Sequence, residues 1–116
     1  MDISRGFIAQ EQGLTFKNGK AVLNLAFTFL YDDTSETIFD FSGYVSSYLR
    51  VYDTLRQTRL IKNFTTQITR NSNVLVMNCS VLDMTFNEAG RYWYEMGYVN
   101  SGYDVALRYG EILIIN

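Results

Sequence analysis

Three groups of side chains in this sequence have the types to do chemistry: Asp32 with Asp33, Glu88 with Glu95, and the single thiol of Cys79. Paired carboxylates can divide acid and base work, or hold a hard cation through oxygen ligands alone. Asp32-Asp33-Thr34-Ser35 is turn sequence, which predicts a solvated hairpin tip, with a calcium site as the alternative there. Glu95 alternates with Arg91 and Trp93 on one strand face, which predicts a cross-strand ion pair rather than catalysis. A lone Cys in an apolar strand is expected to be a small buried hydrophobe. There is no His, so the commonest general base and the commonest metal ligand are both missing. Ser and Thr are plentiful, but no base accompanies them and no Gly-x-Ser-x-Gly elbow occurs. Gly97, Gly102 and Gly110 are spaced like strand and turn glycines, not like a phosphate loop. The expectation is a protein that is not an enzyme, with no catalytic residue, no cofactor and no metal.

The totals point the same way. A chain of 116 residues makes one domain, residues 1–116, able to bury a core without metal or disulfide staples. Net charge is −2 with scattered positives, so binding to nucleic acid has little electrostatic support. No run approaches the ~20 apolar residues of a membrane span. Met1 to Ile8 has no basic region followed by an apolar one, so no secretory signal is expected. One Cys without a disulfide framework suits synthesis in a reducing cytoplasm, and without a signal the triplets at Asn63 and Asn78 are not expected to carry glycans. Nine Tyr, eight Phe and one Trp are the compositional outlier. Tyr is favoured where one end of a side chain is buried and the other is wet, interfaces included.

The elements that would position these groups are short strands. Residues 2 to 8 read as a first strand. Leu14 to Phe16 is extended, and Lys17-Asn18-Gly19-Lys20 is a hairpin turn. Ala21 to Tyr31 alternates cleanly, with Leu23, Leu25, Phe27 and Phe29 on one face. Thr37 to Phe41 is a short strand, and Tyr44 to Asp53 is apolar on both faces. Thr54 to Lys62 reads as a loop or one helical turn anchored by Leu55, Leu60 and Ile61. A strand over 63 to 70 is predicted to pair antiparallel with Val74 to Leu82 across a turn at Asn71-Ser72-Asn73. Leu82, Met84 and Phe86 anchor the crossing that follows. Tyr92 to Val99, a hairpin at Asn100-Ser101-Gly102, Tyr103 to Tyr109, a bulge or twist at Gly110, and Glu111 to Ile115 complete the chain. Without Pro or an amphipathic helix, this is an all-β sandwich or barrel.

Glu88-Ala89-Gly90-Arg91-Tyr92-Trp93-Tyr94 narrows the choice. Acidic-x-Gly-x-Tyr-x-aromatic is the local chemistry of a tyrosine corner, in which a hydroxyl near the start of a strand bonds backbone a few residues upstream. Glu88, Gly90, Tyr92 and Tyr94 are therefore expected to define the fold, an immunoglobulin-like antiparallel β-sandwich of about eight strands. Tyr94 falls where immunoglobulin domains keep their second core cysteine. The aromatic surplus is the functional clue. Tyr44, Tyr48 and Tyr52 share one strand face, and Trp93 lies opposite Tyr92, Tyr94 and Tyr98 on another. A sandwich strand needs only one apolar face. The second face is covered by 54 to 62 or by the N-terminal strand, or it is a subunit interface; a sugar platform would also want a polar cluster beside the rings. Tyr44, Tyr48, Tyr52 and Trp93 are the candidate interface residues.

Residues 39 to 52 (Phe39-Asp40-Phe41-Ser42-Gly43-Tyr44 through Leu49-Arg50-Val51-Tyr52) resemble the opening of immunoglobulin-like domains in bacteriophage virion proteins. The similarity extends to Gly90-Arg91-Tyr92-Trp93-Tyr94-Glu95, Asn100-Ser101-Gly102 and Gly110-Glu111-Ile112-Leu113-Ile114, and covers residues 20 to 116 or so. One such likeness is to the N-terminal domain of siphophage baseplate upper proteins. A single sandwich is also similar to auxiliary, or decoration, proteins of phage capsids. The resemblance implies a virion structural protein, bound in many copies to the major capsid protein or to other virion proteins. The alternatives are a tail or baseplate protein, or a carbohydrate or cell-surface binding module. No nucleic acid, membrane or small-molecule substrate is expected as a partner. The implied location is the virion, after synthesis in a bacterial cytoplasm.

Overall fold

The computed structural model describes residues 10–28, 46–53, 59–71, 74–100 and 103–116. The expected strands over 2 to 8 and 37 to 41, the Asp32-Asp33 turn, Tyr44, Leu55 and the turn residues 72–73 and 101–102 lie outside them. The described residues form β1 (Gln10–Glu11), β2 (Leu14–Lys17), β3 (Val22–Thr28), β4 (Ser46–Tyr52), β5 (Leu60–Phe64), β6 (Ile68–Asn71), β7 (Val74–Cys79), β8 (Gly90–Asn100) and β9 (Tyr103–Ile115). They make two sheets, one ordered β1-β9-β8-β4-β5 with β2 also on β9, the other β3-β7-β6. This is the strand order of an immunoglobulin-type sandwich. β3, β7 and β6 take the B, E and D places, and β5, β4, β8 and β9 take C′, C, F and G.

Alternation along each strand decides what the two sheets bury between them. From the larger sheet come Leu49, Val51, Tyr94, Met96, Tyr98, Leu107, Ile112 and Ile114; from the smaller, Phe27, Ile68, Leu75, Met77 and Cys79. Leu49, Val51, Leu75, Met96 and Leu107 are fully buried. Each such aliphatic side chain contributes about 1.5–3 kcal/mol by leaving water. Cys79 is a buried free thiol, and burial pushes it up to about 12, so it stays protonated and unreactive at neutral pH.

Six sequence expectations are corrected, most of them by a local cause. Asn18-Gly19 does turn, with Gly19 at φ 73 and Lys20 N–H bonded to the Lys17 carbonyl at 3.2 Å. It is not a hairpin, however. β2 runs parallel to β9 while β3 pairs with β7, so this turn carries the chain from one sheet to the other. In β3 the register shifts between Val22 and Leu25, where Asn24 adopts φ 56 and its N–H bonds Asn78 Oδ1 at 2.9 Å. The extra residue turns Leu23 out, 71% exposed, and Val22 packs against the core instead.

The expected strand over 63 to 70 is two strands. β5 pairs with β4 in the larger sheet, residues 65–67 turn, and β6 pairs with β7 in the smaller one. Residues 60–62 belong to β5 rather than to a loop or helical turn. Finally, Gly110 lies in regular register opposite Tyr94, and the shift in β9 falls opposite Met96 and Gly97. Gly110 is glycine for another reason: a Cβ there would stand 2.3 Å from the Gln12 carbonyl oxygen. Of the three anchors expected before the corner, Met84 and Phe86 are buried, but Leu82 is 80% exposed.

Candidate functional site

The corner forms from the residues that announced it. Gly90 opens β8 at φ 145, a conformation a side chain disfavours, and pairs with Ile114. Two residues on, Tyr92 Oη donates to the Glu88 carbonyl at 2.6 Å, and its ring packs on Phe86 with centroids 4.9 Å apart. Tyr94 is fully buried and donates to the Gln12 carbonyl at 2.7 Å, tying the β1–β2 link to the core. Burial raises the Tyr94 hydroxyl to about 12. Burial first, then the Glu88 charge, raises Tyr92 as well.

A cleft of about 350 Å³ opens beside the corner, lined by Glu88, Gly90, Arg91 and Tyr92 together with Asp53 and Arg59. Its two guanidinium groups are already engaged. Arg59 lies 3.7 Å from Asp53, and Arg91 lies 3.3 Å from Glu111. The Tyr92 hydroxyl already donates its hydrogen bond to a backbone carbonyl. Among the described residues the cleft presents no assembled base and nucleophile.

The aromatic residues of the candidate interface meet on the outer face of the larger sheet. Register sets Leu60 beside Tyr52, Tyr52 beside Trp93, and Trp93 beside Glu111, one row across four strands. The next row is Asn63, Arg50, Glu95 and Tyr109. Trp93 and Tyr109 pack diagonally, with ring centroids 5.6 Å apart. Trp93 Nε1 is buried and has no hydrogen-bond partner among the described residues. Leu60 is 48% exposed, and Tyr52, Trp93 and Tyr109 are half-buried.

Tyr48 is placed differently. It shares the face but is buried, donating to Glu95 Oε1 at 3.1 Å, with the Arg50 guanidinium 4.1 Å from its ring centroid. Burial, then the Glu95 charge, pushes its hydroxyl far above the usual tyrosine range. Arg50 in turn pairs with Asp104 at 2.6 Å. Glu95 thus serves as acceptor for a tyrosine, and the cross-strand ion pair expected on this face joins Arg91 to Glu111 instead.

Of the four interface candidates, Tyr52 and Trp93 come together, Tyr48 is covered, and Tyr44 lies outside the described residues. Leu60 extends the row and Tyr109 packs on it from the next one, and sequence alone marked neither as an interface residue. The signal for Tyr109 was present, since it stands two residues from Glu111 on a period-two strand. Leu60 was hidden because its segment did not read as a strand. Arg108 was also hidden. It is 9% exposed, donates to the Thr28 carbonyl at 3.1 Å across the sandwich, and lies 5.7 Å from the Phe27 ring centroid. Burial lowers its pKa, and the Tyr94 charge acts against that.

Among the described residues no three Cys, Asp or Glu side chains gather as a metal ion would need, and no helix is long and apolar enough to cross a membrane. The Asp32-Asp33 pair is outside them. In comparison with known proteins, the sequence matches no family model and no curated protein.

Proposed function

We propose that this chain is a bacteriophage virion structural protein, an auxiliary capsid subunit that seats the outer face of its larger sheet on the major capsid lattice. The observation that carries the reading is the row Leu60–Tyr52–Trp93, with Tyr109 packed beside it. It is an aromatic and aliphatic centre rimmed by the pairs Arg91–Glu111 and Arg50–Asp104. An apolar, aromatic centre inside a charged rim is the usual make-up of a protein interface. The sequence resemblance to virion domains supplies the kind of partner.

Counting copies in purified virions tests the reading directly. A lattice-bound subunit is expected on the order of hundreds of times per particle, and a tail ring about six or twelve times. Absence from virions would sink both versions. Leu60→Glu places a charge in the row at a half-exposed position, so the isolated chain should melt normally yet fail to join particles. Leu82→Glu, on the exposed turn after β7, should melt normally and still be incorporated. Normal incorporation of the Leu60 variant would remove this face from the contact.

A further inference from the structure

Among the described residues the large apolar side chains that stand exposed are Leu23, Leu60, Val81, Leu82 and Ile115. Leu60 belongs to the outer row. The others gather at one end of the sandwich, where β2, β7 and β9 finish and β3 begins. Lys17, the last residue of β2, lies beside Ile115. Val22 pairs with Cys79, which sets Leu23 next to the turn that carries Val81 and Leu82. Single exposed aliphatics are ordinary on a protein surface, whereas a group of them marks a contact. The sequence pointed away from a membrane partner because its patterns assign Leu23 and Leu82 to the core.

The backbone under this group is fixed. Ser80 N–H bonds Asp83 Oδ2 at 2.9 Å, Asp83 N–H bonds Ser80 Oγ at 3.1 Å, and Thr85 Oγ1 donates to the Val81 carbonyl at 2.8 Å. The left-handed Asn24, held by Asn78, turns Leu23 outward. Asn18 exchanges two hydrogen bonds with the Phe86 backbone, at 2.8 and 3.0 Å, and Gly19 N–H bonds the Met84 carbonyl at 2.9 Å. These bonds hold the turn over residues 17–20 against the apolar one. A contact made by pre-set side chains loses less entropy than one that must first order them.

Charge and size decide the partner. Lys17 and Lys20 are exposed, and neither has an ion pair among the described residues. The acidic side chains at this end are engaged. Asp83 accepts from Ser80 and Gln67, Asp53 pairs with Arg59, and Glu88 lines the corner cleft with Arg59 and Arg91. Two copies packed patch to patch would set their lysines against each other. A few aliphatic side chains also fall far short of the ~20–30 residues that each side of a stable protein interface contributes. They suit a surface that accepts single side chains without a matching pocket and surrounds them with anions. The interface of an acidic bilayer does both, taking aliphatics into the acyl boundary and lysines onto the headgroups.

We propose that this end of the sandwich docks peripherally on an anionic phospholipid surface, with Leu23, Val81, Leu82 and Ile115 entering the interface and Lys17 and Lys20 on the headgroups. The contact is interfacial and needs no spanning segment. The assignment does not depend on the virion role, and it uses a different part of the surface from the outer row.

Co-sedimentation of the purified chain with two kinds of vesicle tests this, one of phosphatidylcholine alone and one an equimolar mixture of phosphatidylcholine and phosphatidylserine. The expected result is saturable partition onto the mixed vesicles, weakened by salt, and little onto phosphatidylcholine alone. Lys17→Gln and Lys20→Gln should each lower the partition about fivefold. Leu82→Gln should lower it about tenfold. None of the three should lower the melting temperature, because the side chains are exposed. Leu60→Gln, in the outer row, should partition like the parent. The assignment is overturned if the mixed vesicles bind no protein, if Leu82→Gln binds as tightly as the parent or melts below it, or if the lysine variants bind undiminished. It is also overturned if Leu60→Gln weakens binding as much as Leu82→Gln does. A concentration-dependent dimer of the parent that Leu82→Gln disperses would give the patch to a second copy and overturn it as well.

Discussion

On the inner face of β8, two tyrosine hydroxyls end on backbone carbonyls, Tyr92 on Glu88 and Tyr94 on Gln12. On the outer face, the tyrosine of the neighbouring strand, Tyr48, ends on a carboxylate and lies under a guanidinium. Both faces are rich in aromatics, but they use the same side chain differently. Inside, each hydroxyl fastens a piece of chain that strand pairing alone does not hold: the corner in one case, the link between β1 and β2 in the other. Outside, the hydroxyl joins an array of charges continuous with Arg50 and Asp104, beside a row whose members stay half in water. Damage to the inner face should therefore read out as lost stability, and damage to the outer row as lost association.

The contrast is sharpest for aliphatic truncation. Leu49→Ala, in the fully buried inner layer, should cost about 3 kcal/mol in denaturant unfolding. Leu60→Ala, in the outer row, should stay within about 0.5 kcal/mol. Equal losses would erase the distinction between the faces. Tyr94→Phe removes a hydroxyl from a fully buried side chain and leaves the Gln12 carbonyl without that donor, for an expected loss of about 1–2 kcal/mol. Tyr92→Phe should cost less, about 1 kcal/mol, because its hydroxyl and the Glu88 carbonyl lie nearer water. A reversal of that order would mean the corner, not the β1–β2 link, is the tighter staple.

The smallest effect at neutral pH becomes visible in alkali. Tyr94 has its pKa raised from 10.0 to about 12, so the fold favours the protonated hydroxyl. That contribution is complete below pH 10 and is lost as pH climbs from 10 through 12. Cys79, raised from 9.0 to about 12, adds a loss beginning near pH 9. Melting temperatures across this window should fall, and Tyr94→Phe should fall less steeply than the parent. Parallel curves would show that the Tyr94 hydroxyl does not titrate with unfolding.

Much of this arrangement could be read from residues. Period-two alternation located β3, β4, β7 and β8, and Glu88-x-Gly90-x-Tyr92 located the corner with its hydrogen bond. What escaped notice has physical reasons. Alternation continues through Phe64, Thr66 and Ile68 although the chain leaves one sheet for the other between them, because period two reports an extended backbone and not its partner. Leu23 shares the parity of Leu25 and Phe27, yet a single asparagine in a left-handed conformation reverses it. Arg108 carries a charge that composition assigns to the surface. It reaches the interior because the register shift opposite Met96 and Gly97 lets both Leu107 and Arg108 turn inward. The outer row needed register between β4, β5, β8 and β9, which no single strand's pattern contains.

The parallel seam between β2 and β9 has a mechanical consequence. Leu14 to Lys17 lie beside Ile112 to Ile115 in the same direction, and Asn18 N–H adds a bond to the Ile115 carbonyl at 2.7 Å. A pull that draws residue 10 away from residue 116 drags these two strands along each other in opposite senses. The bonds of the seam are then strained together, in shear, instead of parting one after another as they would in an unzipping hairpin. β2 and β9 thus act as a clasp, and a tension between residues 10 and 116 must break it before it reaches the core.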